Sequence, residues 1–173
     1  FKTDTRFSYC NTNYAMLALI IEKITKLSYE KAMKQIIFEP LGMKNTYVFD
    51  YERDKDSAVT SYKGNKVEIG LDYLDAVYGD KNIYSTPRDL LKFDRARNTP
   101  DFLTPEIISM VYTPYSNEHK GRKNYGLGIR MVNWETGQNF YFHNGWWHGN
   151  TSSYITLQKE GVTLIALSNK FAR

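Results

Sequence analysis

The sequence is poor in several features that define large protein classes. It has a single cysteine, Cys10, so no disulfide can form within the chain. No apolar run comes near the roughly 20 residues that a membrane-spanning helix needs, and the opening FKTDTRFSYC is not a signal peptide. The sequence therefore excludes a scaffold held by internal disulfides and carries no transmembrane pattern.

Charge of one sign is scarce as well. The formal net charge is only +4, and the Lys and Arg residues are scattered among acidic ones. A protein that follows a phosphate backbone needs a basic stripe, so we predict no nucleic-acid partner. The composition, 42% hydrophobic and 24% charged, is typical of a globular domain with its own core.

Two helices are predicted near the start of the chain. Apolar residues recur at helical spacing over 11–26. Ser28 is then a predicted N-cap for a second helix, 29–38, which the stretch EPLG would end through its proline and glycine. The amphipathic pattern of both segments indicates helices that pack one face against other elements.

Two further helices are predicted to begin at Pro87 and Pro105. Each proline follows a threonine N-cap and precedes an acidic residue, which is the usual order of start signals. Residues 47–82 between the early and late helices lack clear periodicity, so we predict an irregular, partly exposed segment there.

After Lys123 the pattern changes from helices to strands. Short stretches rich in β-branched and aromatic residues alternate with the turn signals ETG and KEG, which predicts antiparallel strands joined by hairpins. The fold class is therefore predicted to be α+β, with helices packed on an antiparallel sheet. We expect one domain over 1–173, mainly helical in 1–122. The predicted strands are NYGLGIRMVNW, QNFYFHNG, TSSYITLQ and VTLIALSN.

The first candidate site is Tyr9-x-Asn11, a phenol and an amide at the mouth of the first helix. By spacing alone, this pair also fits a tyrosine packed at a helix start and an asparagine that caps the helix. A catalytic interpretation therefore needs a second stretch of sequence.

The second candidate site is the stretch FHNGWWHGN. His143 is predicted to end one strand, Gly145 to let another backbone come close, and a loop rich in glycine and aromatics to lead to the next strand. A strand edge beside a glycine can hold an extended acyl-amide by main-chain hydrogen bonds, and an N–H there can face an oxyanion. The alternative is a histidine in an ordinary hairpin. Because His143 and His148 have no third ligand nearby in sequence, we predict no metal and no cofactor.

Taken together, these stretches resemble the serine β-lactamase and penicillin-binding protein superfamily, in its class C-like branch of hydrolases and esterases. The resemblance covers nearly all of the chain, and it implies a β-lactamase/transpeptidase-like fold. It rests on FSYCNTNYAMLALIIEKITKLSYEKAMKQIIFEPLGMKNT, then IYSTPRDLLKF, YGLGI, HNG and LIALSN, in that order.

The resemblance implies a role for each matched residue. Tyr9 would move protons to and from the nucleophile and leaving group, and Asn11 would bind the substrate amide and hold a catalytic lysine. His143 would stand first in the Lys-Thr-Gly triplet, where its charge depends on pH. The main-chain N–H after the glycine would complete the oxyanion hole. The candidate site residues are Tyr9, Asn11, His143, Asn144, Gly145 and Trp146.

The nucleophile of this family is expected outside the chain. In the family a Ser-x-x-Lys precedes Tyr-x-Asn, whereas the single such string here, from Ser28 to Lys31, follows it. Ser28 is better explained as a helix cap, and Cys10 has no evident base to make it reactive. Since the chain also opens on Phe1, we expect a C-terminal portion of a longer protein, inactive by itself.

The expected parent is a serine acyl hydrolase that cleaves amide, β-lactam or ester bonds through an acyl-enzyme, as a peptidase (carboxypeptidase) or esterase rather than a true antibiotic-degrading lactamase. Its expected substrate is a small molecule or is peptidoglycan-like. Its expected location is the periplasm or the cell envelope. The segment that completes its sheet is expected to come from the parent protein or from a second copy. Two alternatives stay open. One is a non-catalytic sensor, and the other is an interaction domain with a surface of Trp146, Trp147 and Tyr154.

Overall fold

The computed structural model describes residues 2, 5–116 and 122–171. Their contacts group the chain into two compact units. The first unit consists of Phe1–Tyr9, Asp94–Gly145 and Ser152–Ala166, and the second of Cys10–Phe93, Trp146–Thr151 and Leu167–Arg173.

Three helices begin at the residues that the capping signals predict. Each of the three predicted N-cap hydroxyls accepts a hydrogen bond from the backbone N–H three residues later, which satisfies one open donor of the first turn. These confirmed caps are Ser28, Thr86 and Thr104. The helices are α1 (Asn11–Thr25), α2 (Tyr29–Met33), α3 (Tyr51–Asp54), α4 (Pro87–Arg97) and α5 (Pro105–Val111), with a π-helical turn at Lys34–Phe38 and a 3₁₀ turn at Tyr73–Ala76.

The fold class is α+β, as predicted, because the helices accompany a five-stranded antiparallel sheet. Its strands follow one another in chain order across the sheet. They are β5 (Lys123–Tyr125), β6 (Arg130–Asn133), β7 (Asn139–Trp147), β8 (Asn150–Leu157) and β9 (Val162–Ser168). Two short antiparallel pairs lie in 47–84: β1 (Tyr47–Val48) with β4 (Ile83–Tyr84), and β2 (Ser61–Tyr62) with β3 (Glu68–Ile69).

Two predicted strand boundaries are wrong. The stretch NYGLGIRMVNW forms two paired strands, β5 and β6, because Gly128 turns the chain with φ +76°, a conformation that side chains disfavour. β7 does not end at His143 but runs on through Gly145 to Trp147. Consequently the predicted loop of aromatics and glycine shrinks to the turn 148–149. Aromatic residues favour extended backbone, and this preference outweighs the strand-breaking tendency of one glycine.

The core of the second unit forms where α1, α2 and the following segment meet. Ala18 is the one buried residue of α1, while Leu17 and Ile20 remain about half exposed and Ile24 is largely exposed. The helix is confirmed, but most of its apolar stripe faces away from this core. The buried members of the cluster are Ala18, Tyr29, Phe38, Met43 and Val48.

A buried carboxylate connects two of the stretches that carry the family resemblance. Asp89, which is 1% exposed, accepts hydrogen bonds from the backbone N–H of Asn45, the hydroxyl of Thr46 and the ammonium of Lys92. Burial raises the pKa of this carboxyl, but the three donors outweigh burial and hold the pKa below its ordinary value. The carboxylate therefore ties the first turn of α4 to the end of PLGMKNT.

In the first unit, the last turn of α4 is fastened to the sheet by a buried ion pair. Asp94 accepts from Arg97, from the hydroxyl of Tyr154 on β8 and from that of Thr163 on β9, and Arg97 donates to Thr156. Burial, and then the contact with Asp94, raise the pKa of Tyr154 far above its usual range. Since each buried polar group here has a partner, the cluster serves as a structural anchor.

Candidate active site

A phenol–imidazole cluster in the first unit brings two of the predicted site residues together. We call Tyr9, Tyr125, Arg130 and His143 the Tyr9 cluster. Tyr125 ends β5 and pairs directly with Arg130 at the start of β6, while Arg130 also pairs with Phe142 on β7. The hairpin and the neighbouring strand thus fix three members of the cluster. Tyr9, from the segment before α1, adds the fourth.

The rings of the Tyr9 cluster lie at contact distance. The ring centroids of Tyr9 and His143 are 6.1 Å apart, and those of Tyr9 and Tyr125 are 5.8 Å apart with an edge-on geometry. The guanidinium carbon of Arg130 lies 5.0 Å from the Tyr9 ring centroid and 5.5 Å from that of Tyr125. A cation at this distance interacts favourably with both aromatic faces.

The hydrogen bonds of His143 define its neutral tautomer. Nδ1 lies 3.0 Å from the carbonyl oxygen of Asn144, and Nε2 lies 3.0 Å from the hydroxyl of Tyr125. Because a carbonyl oxygen can only accept, Nδ1 carries the proton. In the neutral ring Nε2 therefore accepts, and the Tyr125 hydroxyl donates to it.

The surroundings of His143 favour its uncharged form. Burial lowers the pKa of its imidazole below the ordinary value of 6.5, and the charge of Arg130 lowers it further, while the hydrogen bond to Asn144 acts in the opposite direction. Position 143 therefore does not supply the permanent cation that a lysine would bring to the triplet.

The other two residues of the triplet are held against β8. Asn144 accepts a hydrogen bond of 2.9 Å from the hydroxyl of Ser153 through Oδ1. A Cβ at Gly145 would collide with the hydroxyl of Ser152, so any larger residue there requires that side chain to move. We expected a backbone beside this glycine, whereas the structure places a serine side chain there.

Asn11 and Trp146 belong to the second unit. Asn11 is the first residue of α1 and is exposed, and the N-cap is Cys10, whose side chain makes no capping hydrogen bond. The alternative interpretation of Asn11 as the helix cap is therefore wrong. Trp146 is 63% exposed, and its ring packs edge-on against Phe171. The resemblance assigns the oxyanion contact to its main-chain N–H and gives no role to this side chain.

Tyr125 and Arg130 were not predicted as site residues. Tyr125 lies in YGLGI, one of the stretches that carry the family resemblance, so the signal for it was present in the sequence. Arg130 lies in no matched motif, and only the pairing of β5 with β6 reveals its position.

A second histidine cluster lies in the second unit. Three possible metal ligands, from Asp72, Asp75 and His148, come within 4.8 Å of one another. Asp75 already accepts three hydrogen bonds: from the indole of Trp147 at 2.5 Å, from the backbone of Asp72 at 2.6 Å and from His148 Nε2 at 3.1 Å. These bonds explain the cluster as a cap of the Tyr73–Ala76 turn without a metal.

Comparison with curated proteins gives relatives along the whole chain. Penicillin-binding protein 4* of Bacillus subtilis (strain 168) is 30% identical over 185 residues, which cover 98% of this chain and 41% of that protein. The teichoic acid D-alanine hydrolase of Staphylococcus aureus is 32% identical over 111 residues, covering 62% of this chain and 28% of that protein. The chain thus spans less than half the length of these relatives.

Solved structures show the same fold. The octameric penicillin-binding protein homologue from Pyrococcus abyssi superposes with a TM-score of 0.81 at 27% identity, covering 98% of this chain and 40% of that one. The penicillin-binding protein from Bacillus halodurans gives a TM-score of 0.88 at 18% identity over 100% of this chain and 55% of that one, a likeness of fold alone. The Beta-lactamase family model matches residues 1–173, so the chain belongs to that family.

Proposed function

We propose that this chain supplies the C-terminal part of a serine acyl hydrolase that cleaves amide or ester bonds through an acyl-enzyme. One observation carries the proposal: the Tyr9 phenol lies against the imidazole of His143, on the strand that also bears Asn144 and Gly145. A phenol beside a neutral imidazole and a guanidinium is suited to proton transfer. The serine and lysine of the reaction come from outside these 173 residues.

The proposed reaction has two halves. The serine Oγ attacks the carbonyl carbon and loses its proton to the Tyr9–lysine pair, and that proton then passes to the leaving amine or alcohol as the carbonyl–leaving group bond breaks. Water next attacks the acyl-enzyme ester, which releases the acid and returns the proton to serine. The family resemblance alone assigns binding of the substrate amide to Asn11 and an oxyanion contact to the main-chain N–H of Trp146.

We place D-alanyl esters and amides above β-lactams as substrates. The neutral His143 offers no permanent positive charge to a carboxylate-bearing lactam, whereas an ester or amide with a free amino group does not need one. The name of the S. aureus relative, a teichoic acid D-alanine hydrolase, supports this substrate class.

We propose that the parent enzyme works in the periplasm or cell envelope, because cell-wall substrates of this kind lie outside the bacterial membrane. Among the described residues, no helix combines the length and apolarity that a membrane crossing requires.

The proposed partner is the rest of the parent protein or a second copy, which would complete the sheet beyond β9. This strand lies at one edge of the strand order.

The interaction-domain alternative is disfavoured by two of the three side chains that it would use. The indole N–H of Trp147 donates to Asp75, and the hydroxyl of Tyr154 donates to Asp94, so their polar ends are engaged within their own units. Only Trp146 of that set is more than half exposed. A single exposed ring does not make a partner surface.

The test uses the full-length protein that contains this sequence, with D-alanine p-nitroanilide, p-nitrophenyl acetate and a chromogenic cephalosporin as substrates. We expect turnover of the first two, and a penicillin adduct that mass spectrometry locates on a serine outside residues 1–173. Tyr9→Phe should lower kcat by about 100-fold, the scale of a lost proton-transfer group. The matched control is Tyr73→Phe, since Tyr73 is 81% exposed.

The proposal fails if Tyr9→Phe retains wild-type kcat, or if the full-length protein neither turns over these substrates nor forms an adduct. The 173-residue chain alone should be inactive, and an adduct on Ser28 would contradict the assignment of that serine as a cap.

A further inference from the structure

We propose that Arg130 is a positioning residue of this site, whose guanidinium orients the Tyr9 phenol and favours its deprotonated form. The inference rests on the proposed function only through the role of Tyr9. Its physical content, a cation that acts on two neighbouring titratable rings, is independent of any activity.

The backbone of Arg130 is fixed on both sides. It pairs with Tyr125 of β5 on one side and with Phe142 of β7 on the other, so it lies on an inner strand of the sheet. Because both neighbouring strands hold its backbone, the Cα position of Arg130 is better defined than that of a loop residue. The guanidinium therefore extends from a fixed point of the sheet.

The guanidinium lies close to both phenols. Its central carbon is 5.0 Å from the Tyr9 ring and 5.5 Å from the Tyr125 ring, and those two rings meet edge to face. Loss of a phenolic proton puts negative charge on the oxygen and ring, which a nearby cation stabilises. Arginine stays charged across the whole working pH range, so this effect does not switch off.

The same charge acts on His143 in the same direction. It opposes formation of the imidazolium, and so preserves Nε2 as the acceptor for the Tyr125 hydroxyl. Within the described part of the chain, Tyr9 and Tyr125 are the titratable side chains in ring contact with His143, and Arg130 is the charged side chain that acts on it. One guanidinium thus favours the deprotonated forms of Tyr9 and His143 together.

The experiment compares Arg130→Gln with Arg130→Lys in the full-length protein. The rings of Tyr9 and His143 are titrated by NMR with ¹³C-labelled tyrosine and histidine, assigned with Tyr9→Phe and His143→Gln. Arg130→Gln should raise the pKa of both groups, and Arg130→Lys should largely restore them. Arg122→Gln is the matched control, because it removes an exposed arginine outside the cluster.

Kinetics give a second readout. Arg130→Gln should lower kcat by about tenfold near pH 7 with KM changed by less than about twofold, and the loss should shrink as the pH rises. A merely structural role would not make the deficit depend on pH. If Arg130→Gln fails to fold, Arg130→Met keeps the apolar stem and takes its place.

The outcomes separate the two proposals. Unchanged titration curves for both rings in the uncharged variants overturn the Arg130 inference, even in an active hydrolase. Raised pKa values in a protein without hydrolase activity leave the electrostatic inference intact and defeat the proposed function. A fall in kcat that is the same at every pH also contradicts the role given to Arg130.

Discussion

Two histidines five positions apart in the sequence have opposite surroundings in this molecule. His143, on β7 in the first unit, is in contact with two phenols and is influenced by a guanidinium. His148, in the turn after β7 in the second unit, lies between the carboxylates of Asp75 and Asp72, at 3.1 and 3.7 Å. The residue type is the same, but the neighbours differ in both charge and hydrogen-bonding character.

The neighbours give the two rings opposite roles. Nε2 of His143 accepts a hydrogen bond from the Tyr125 hydroxyl, because Nδ1 donates one to a carbonyl. Nε2 of His148 must donate, since its partner is a carboxylate that can only accept. His143 therefore offers the lone pair of Nε2 to a hydroxyl, whereas His148 helps to hold a turn. Neither the number of histidines nor their spacing in the sequence reveals these hydrogen-bonding roles.

The largest expected effect distinguishes the two histidines by activity. In the full-length protein, His143→Gln should lower kcat/KM by about 100-fold, or about 2.7 kcal/mol of transition-state stabilisation. The change removes the acceptor for Tyr125 and the ring that packs against Tyr9, so the proton-transfer phenol loses its position. His148→Gln, the matched control, should change kcat/KM by less than about twofold.

Steady-state kinetics on D-alanine p-nitroanilide provide the measurement, with circular dichroism to establish that both variants are folded. Equal losses in the two variants would mean that the contrast between the clusters has no functional meaning.

The second-largest expected effect is a loss of stability when the cluster around Asp75 is changed. Asp75→Asn should lower the free energy of unfolding by about 2 kcal/mol, because a buried group that now carries an N–H₂ faces three donors. Asp75 is 3% exposed and accepts from Trp147, His148 and the backbone of Asp72. Asp56→Asn, at an exposed position, should change it by less than about 0.5 kcal/mol.

Urea denaturation followed by tryptophan fluorescence measures both variants, and Trp147 itself reports on the cluster. An Asp75→Asn protein as stable as the Asp56→Asn protein would show that the cap of the Tyr73–Ala76 turn contributes little to the fold.

The sequence predicted those features whose signals are local. The caps Ser28, Thr86 and Thr104 each bond a backbone N–H three residues away, so the motif contains both partners. The α+β class followed from a change in hydrophobic period near Lys123. Within the site, the family motifs supplied Tyr9 and His143, which the structure places side by side.

The features that were missed depend on partners far apart in the chain. Tyr125 and His143 are 18 positions apart, and His148 and Asp75 are 73 apart, so no local pattern links them. β7 was predicted too short for a similar reason. The side chain of Ser152 on β8 lies beside Gly145, and this neighbour is known only once the strands are placed in the sheet.

The smallest expected effect is a pH dependence of stability that comes from His143. Its folded pKa lies below the ordinary value because burial, and then Arg130, disfavour the charged ring. Above about pH 6.5 neither state binds this proton, so the contribution of His143 to stability is fully present. As the pH falls from about 6.5 through the pKa of the folded state, the unfolded state binds a proton more readily than the folded state does. The free energy of unfolding therefore decreases. Urea midpoints between pH 7.5 and pH 5 should therefore fall less steeply in His143→Gln than in wild type. Parallel pH curves for the two proteins would contradict a neutral, buried His143, and with it the contrast between the two histidines.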